Sequence, residues 1–324
     1  MNFTAAHNVE IINTGDKRGR IVIASHDFPK GSLIFHERPL VAIQSVFNKS
    51  QSLVCTNCQR FIGNLKLHAN LLTRKVSRFD IMESLDEKKG TPLSTTSFDV
   101  APLQALSAEG SSFTSYSPCD CILCPSGCGE LYCSQSCVTE HQQQGGHNLL
   151  CTGPHAADHP IVRFKTHAVT TNEIFLFAAV VASQFVRRCQ QGKTPTEAWS
   201  IFASFVQLPW WEAVQPTSNE EKGKGEGKGE GDTKFANELK RIALESLTLF
   251  RETVSLYIQS IKEEEEEEDK NKEDEKKEDK DKEKEKRNKL ESDCMEFLTL
   301  ERWGRIIGMF EQNQLGIRVS SPLG

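Results

Sequence analysis

The sequence predicts an α+β chain in three parts, on three observations. Short β-branched runs separated by turns fill residues 9–46, nine of the 11 cysteines lie between Cys55 and Cys151, and helical periodicity begins at Thr171. The parts are bounded at 1–50, 51–154 and 155–324. At 324 residues the chain has ample material for a packed core.

In the first part, Val9-Glu10-Ile11-Ile12 meets the turn cluster Asn13-Thr14-Gly15-Asp16, and Ile21-Val22-Ile23-Ala24 follows as a second strand. Pro29-Lys30-Gly31 makes the next turn, because proline presets φ and glycine completes the reversal. Ser32 to Phe35 and Pro39 to Val46 read as further strands. The middle part is poor in regular pattern. Leu65 to Arg78 reads as helical, and residues 91–118, rich in Ser, Thr, Gly and Pro, read as a long loop.

The third part is helical. Thr171 or Asn172 can cap a helix over Glu173 to Gln191, with Arg187 and Arg188 near its negative end and Gly192 ending it. Thr194-Pro195-Thr196-Glu197 is a capping box that opens a helix towards Val206. Thr233 to Ile261 places Phe235, Leu239, Ile242, Leu247, Phe250, Val254 and Ile258 at helical spacings. Thr299 to Phe310 is a fourth helix, weakened in propensity by Gly304 and Gly308. Two inserts, 219–232 and 262–289, bury too little apolar surface to offset their ordering entropy and are expected to be mobile. Glu–Lys pairs offer the second insert an alternative, as a prolongation of the helix before it.

Charge and hydropathy exclude some classes. Residues 262–289 hold 15 acids and 11 bases, so this insert carries −4 of the chain's −6 and the remainder is close to neutral. No nucleic-acid-binding face is indicated. The longest apolar run, Ile174 to Val186, has 13 residues, whereas a bilayer span needs about 20. Residues 1–13 lack the pattern of a secretory signal, so the chain is expected to be soluble and to work in the nucleus, the cytoplasm or both.

In a reducing compartment, clustered cysteines point to metal or catalysis rather than disulfides. Four close pairs are present: Cys55 with Cys58, Cys124 with Cys128, Cys133 with Cys137, and His147 with Cys151. A tetrahedral zinc ion takes four Cys or His ligands, commonly as two such pairs, so there are enough for two ions. No cysteine is set apart with a distinct base, and no catalytic residue is assigned.

The spacings Cys55-x2-Cys58, Cys124-x3-Cys128-x4-Cys133-x3-Cys137 and His147-x3-Cys151 resemble a MYND-type zinc finger. The resemblance implies interleaved sites, one of Cys55, Cys58, Cys133 and Cys137, the other of Cys124, Cys128, His147 and Cys151. Cys119 or Cys121 is an alternative to Cys124. His141 is an alternative to His147, which is preferred because Gly145-Gly146 frees it to pair with Cys151. The segment Gly19-Arg20-Ile21 to Ile34, followed by Glu37-Arg38-Pro39-Leu40, resembles the start of a SET domain. Together these features look like the SET–MYND protein-lysine methyltransferases. Gly129 to Ser134, His147 to Cys151 and Glu311-Gln312-Asn313 are most similar to plant trithorax-related members with a split SET domain.

The resemblance implies the N-terminal part of a β-rich SET domain, an inserted zinc finger and a helical SET insert. It implies two zinc ions, S-adenosylmethionine as methyl donor with Gly19, Arg20 and Asn313 near it, and a histone tail as substrate. It also implies a second, non-enzymatic reading, in which the finger binds proline-containing peptides of partner proteins. Two departures stand out. Ile21 replaces a glycine of the family's Gly-Arg-Gly, and the family's Asn-His-Ser-Cys and Gly-Glu-Glu…Tyr segments are expected after Gly324. The expectation is therefore a truncated member, inactive alone. A cross-brace ubiquitin ligase uses similar interleaved ligands, but its spacings fit worse and it leaves the SET-like start unexplained.

Overall fold

The computed structural model describes residues 9–15, 20–34, 39–85, 121–153, 155–214, 230–270 and 288–313. The chain divides into two compact units, Met1–Ala42 and Ile43–Gly324.

In the first unit β1 (Val9–Asn13) and β2 (Arg20–Ala24) form an antiparallel ladder that pairs Ile11 with Val22 and Ile12 with Ile21. Gly15, at φ +68°, donates its N–H to Asn13 Oδ1 at 3.1 Å, an Asx turn closed by the left-handed freedom of glycine. The Pro29–Gly31 turn forms as expected, with the Ser32 N–H on the Pro29 carbonyl at 3.1 Å and Gly31 at φ +88°. Among the described residues the two further strands are not found: residues 32–34 and 39–45 are extended or bent and form no ladder.

In the second unit the expected helix over Leu65 to Arg78 is two helices, α1 (Leu65–Leu72) and α2 (Arg78–Leu85). Asn64 caps the first, accepting from the Leu67 N–H at 2.8 Å. Arg74 at φ +57° breaks the run. Ser77 and Asp80 then open the second reciprocally: the Asp80 N–H donates to Ser77 Oγ at 3.1 Å, and the Ser77 N–H to Asp80 Oδ2 at 2.8 Å. Residues 91–118 and Cys119 lie outside the described residues. After them come the two-residue strands β3 (Ile122–Leu123) and β4 (Leu131–Tyr132), paired antiparallel, then α3 (Gln135–Gln143) and α4 (His147–Leu150).

The helical part begins earlier than expected, with α5 (Pro160–Thr171). Pro160 starts it behind a His159 cap, and Ile161, Phe164 and Ala168 form its buried stripe. α6 (Ile174–Gln190) is the central strut, buried at Phe175, Ala178, Ala179, Val181, Ala182, Phe185 and Val186. Gly192 ends it at φ +85°, and the Thr194–Glu197 capping box opens α7 (Pro195–Trp199), which stops well short of Val206. A short α8 (Trp210–Ala213) precedes α9 (Glu230–Lys270).

α9 runs nine residues past the expected end at Ile261, and Glu230 to Asp232 also belong to it. Those parts of the two inserts are therefore helical, and the other insert residues up to 287 are not described. A helical stretch over 288–297, α10, and α11 (Leu300–Asn313) complete the order. The core joins Phe164, Phe250 and Trp303, whose rings lie 5.1–6.4 Å apart, and Trp303 Nε1–H donates to buried Ser246 Oγ at 2.8 Å. Among the described residues no helix is long and apolar enough to cross a membrane.

Candidate metal centre

The first pair of cysteines sits on a hairpin-like turn. Val54 and Phe61 form an isolated antiparallel bridge, the Cys55 N–H donates to the Arg60 carbonyl at 2.9 Å, and Gln59 turns the chain at φ +60°. Cys55 is fully buried while Cys58 is exposed. A second turn repeats the device: Cys124 N–H bonds to the Glu130 carbonyl and Gly127 N–H to the Cys124 carbonyl, each at 2.9 Å. Positive φ at Gly127 and Gly129 lets that chain reverse within so few residues.

The other two pairs are on helices. Ser134 caps α3 by accepting from the Cys137 N–H at 3.2 Å, which sets Cys133 just before the helix and Cys137 in its first turn. His147 starts α4 directly after Gly146, and Cys151 follows its last residue.

These turns converge into two groups of four, Cys55 with Cys58, Cys133 and Cys137, and Cys124 with Cys128, His147 and Cys151. Within each group every ligand atom lies within 4.8 Å of the others, and among the described residues these are the groups that could hold a metal. They are the two sets that the family resemblance implies. Sγ–Sγ separations are 3.6 Å for Cys58–Cys133, 3.5 Å for Cys133–Cys137 and 3.8 Å for Cys124–Cys151. A tetrahedron with zinc–sulfur bonds of about 2.3 Å has an edge of about 3.8 Å. His147 Nε2 lies 3.3 Å from Cys124 Sγ and 3.6 Å from Cys128 Sγ, close to the corresponding nitrogen–sulfur edge of about 3.6 Å. All these cysteines are free thiols, and the spacings are far too long for disulfides, whose S–S bond is about 2.05 Å.

In the second group the electrostatics of the ligands conflict without a cation. Hydrogen bonds from Cys128 and Cys151 drive the Cys124 thiol well below the ordinary range, while hydrogen bonding to the Cys124 thiolate pushes Cys128 up. Burial disfavours charge on His147, but the neighbouring Cys124 and Cys151 reverse that and raise it to about 9. Bare thiols thus share protons to limit their mutual repulsion. A divalent ion removes the conflict by binding thiolates and neutral imidazole together. An ion held by all four residues of a group would have no open position, as in a structural zinc site.

Of the alternatives, His141 and Cys121 fall in neither group, and Cys119 is not described. His141 turns its Nδ1 to the Tyr132 hydroxyl at 2.9 Å and stacks on His147 at 4.8 Å, outside both groups. Cys121 is half-buried against the finger's apolar core, and a Cβ on Gly63 would meet its Sγ at 3.4 Å. Gly19 lies outside the described residues. Arg20 opens β2 in the first unit and Asn313 ends α11 in the second, with neither side chain described.

Supporting residues carried no spacing signal in the sequence. Glu130 accepts from Lys49 Nζ at 2.6 Å and Thr56 Oγ1 at 2.9 Å, tying the first turn to the second. Burial opposes its charge, but Lys49, Lys165 and these hydrogen bonds hold it down to about 2. Arg78 adds a donor to the Gly129 carbonyl at 3.1 Å. Against α6, Arg187 Nε donates to the Gln143 carbonyl at 2.8 Å, and Gly146 approaches so closely that a Cβ would lie 2.7 Å from Ser183 Oγ.

The chain is similar to the histone-lysine N-methyltransferase ATXR2 of Arabidopsis thaliana, at 26% identity over 362 residues. The match takes in 98% of this chain and 66% of that protein, so the chain spans about two thirds of the relative's length. No family model matches the chain. No solved structure matches it either.

Proposed function

We propose that this chain forms the zinc-finger and helical part of a SET–MYND type histone-lysine methyltransferase that draws its methyl group from S-adenosylmethionine. The observation that carries the reading is similarity to a histone-lysine methyltransferase along 98% of the chain. Two interleaved ligand groups with tetrahedral spacing support the MYND assignment.

In this reading zinc is structural. Cys55, Cys58, Cys133 and Cys137 hold one ion, and Cys124, Cys128, His147 and Cys151 hold the other. Because the sites interleave, each ion joins two separated stretches of chain. Loss of the first ion therefore frees the Cys55–Cys58 turn from α3, and loss of the second frees the Cys124–Cys128 turn from α4. The sulfonium methyl of S-adenosylmethionine supplies the transferable group, and transfer needs a neutral lysine amine held in line with it. Gly19, Arg20 and Asn313 are proposed near that cofactor. Histones as substrate place the work in the nucleus.

The test uses the complete gene product, purified with zinc. It should bind S-adenosylmethionine by calorimetry and transfer tritiated methyl to lysines of core histones. A zinc-replete protein with no cofactor binding would overturn the reading.

One observation favours peptide binding by the finger as a second role. A cleft of about 560 Å³ is lined by Leu71, Leu72 and Val76 together with Ser50, Gln51, Arg74, Ser77 and Arg78. Exposed Leu72, Phe47 and Phe79 belong to the same stretch of chain and offer apolar surface to a proline-containing segment.

A further inference from the structure

Two cysteines of the helical part, Cys189 and Cys294, lie outside the metal groups. Cys189 lies in the last turn of α6 and is half-buried, and Cys294 lies in α10 and is fully buried. α10 is fastened on several sides. Ser255 Oγ donates to Glu291 Oε1 at 2.9 Å, Arg251 donates to the Met295 and Leu298 carbonyls at 3.0 and 2.7 Å, and Phe297 stacks on Phe185 of α6 at 3.7 Å and 15°.

That ring stack sets the register of the two helices. One turn onward from Phe185 along α6 is Cys189, and one turn back from Phe297 along α10 is Cys294. An antiparallel pair seated on Phe185–Phe297 therefore brings the two thiols face to face. Consistently, hydrogen bonding with Cys294 holds the Cys189 thiol below its ordinary range, while Cys189 and burial push Cys294 up.

We propose that Cys189 and Cys294 form a reversible disulfide that locks α10 onto α6 when the chain meets a disulfide oxidant such as oxidised glutathione. The roles follow from exposure and charge. Cys189 is reachable, and the Cys294 thiol holds its pKa down with help from Arg188, so it is the attacking thiolate. Cys294, buried and raised by its neighbour, is the resolving thiol. Cys189 sulfur attacks one sulfur of oxidised glutathione, forming a mixed disulfide and expelling one glutathione thiolate. Cys294 sulfur then attacks Cys189 sulfur and expels the second. The two cysteines lose two electrons to the oxidant, and their two protons end on the two glutathione thiols. α6 also carries the Ser183 and Arg187 contacts to the finger, so the lock ties the return of the charged insert to the strut beneath the second metal group.

The test equilibrates the full, zinc-loaded chain in glutathione buffers from reduced to oxidised, traps free thiols by alkylation and maps peptides by mass. The peptide pair joined at Cys189 and Cys294 should rise about fivefold or more from excess reduced to excess oxidised glutathione. It should vanish on adding dithiothreitol, with both zinc ions retained throughout. Cys294→Ser should instead accumulate glutathione on Cys189. The proposal is overturned if Cys189 in the unsubstituted chain stays free, if it stops at the mixed disulfide, or if metal-ligand cysteines oxidise with zinc loss first.

Discussion

Glu130 illustrates how a single side chain fastens the finger. Its carboxylate is largely sheltered and meets both Lys49, from the chain before the first turn, and Thr56, within it. Removing the charge keeps the size but strands Lys49 beside a neutral amide. Glu130→Gln is expected to lower unfolding stability at pH 7 by about 1–3 kcal/mol, above the near-zero value typical of an exposed pair. Urea unfolding of the zinc-bound chain checks this, and an unchanged midpoint would show the pair to be ornamental. Choice between His141 and His147 was also made at the scale of single residues. His147 Nε2 lies 3.3 Å from Cys124 Sγ and 3.6 Å from Cys128 Sγ, whereas His141 falls in neither ligand group.

At the scale of the element, α11 reverses an expectation drawn from propensity. Gly304 and Gly308 weaken a helix in isolation, and alanine there would add about 1 kcal/mol to an exposed helix. In the structure both lie on the packed face. A Cβ on Gly304 would overlap the Trp211 ring, and one on Gly308 would overlap the Leu208 carbonyl, which is backbone and cannot move aside. Packing wins over propensity, and Gly308→Ala is expected to destabilise the chain by about 2–4 kcal/mol. Thermal unfolding measured beside Leu244→Ala, an exposed site on α9, gives the comparison. A stabilised Gly308→Ala chain would refute the close approach.

For the whole molecule the decisive division is between metal-held and core-held structure. The finger's apolar core is small, built around Leu53, Ile62, Leu131, Tyr132 and Val138, and its turns converge on the two ligand groups. The helices have their own aromatic core at Phe164, Phe250 and Trp303. A strong chelator is therefore expected to abolish hydrogen-exchange protection across 53–62 and 121–151. Protection at 174–190, 243–258 and 303–310 should persist. Restoring two equivalents of zinc should restore the first set. Uniform loss across both regions, or none in either, would contradict the division.

Much of this was legible beforehand. Metal ligands come in pairs whose spacing is set by turn and helix geometry, so the four pairs from Cys55 to Cys151 stood out without any structure. The capping box at Thr194 and the periodic face of α9 are likewise local, since backbone hydrogen bonding and side-chain spacing act within a few residues. Other features depend on distant chain. A strand needs a partner, so residues 39–45 could read as β and still form no ladder. α5 carries little signal in the sequence, because its cap is a histidine and its apolar stripe short. Glu130 meeting Lys49 and Thr56, Gly308 against Leu208, and Cys189 facing Cys294 join residues far apart in sequence. No spacing rule encodes such pairs. Local chemistry is written along the chain, whereas close approach between elements exists only once their packing has chosen which faces meet.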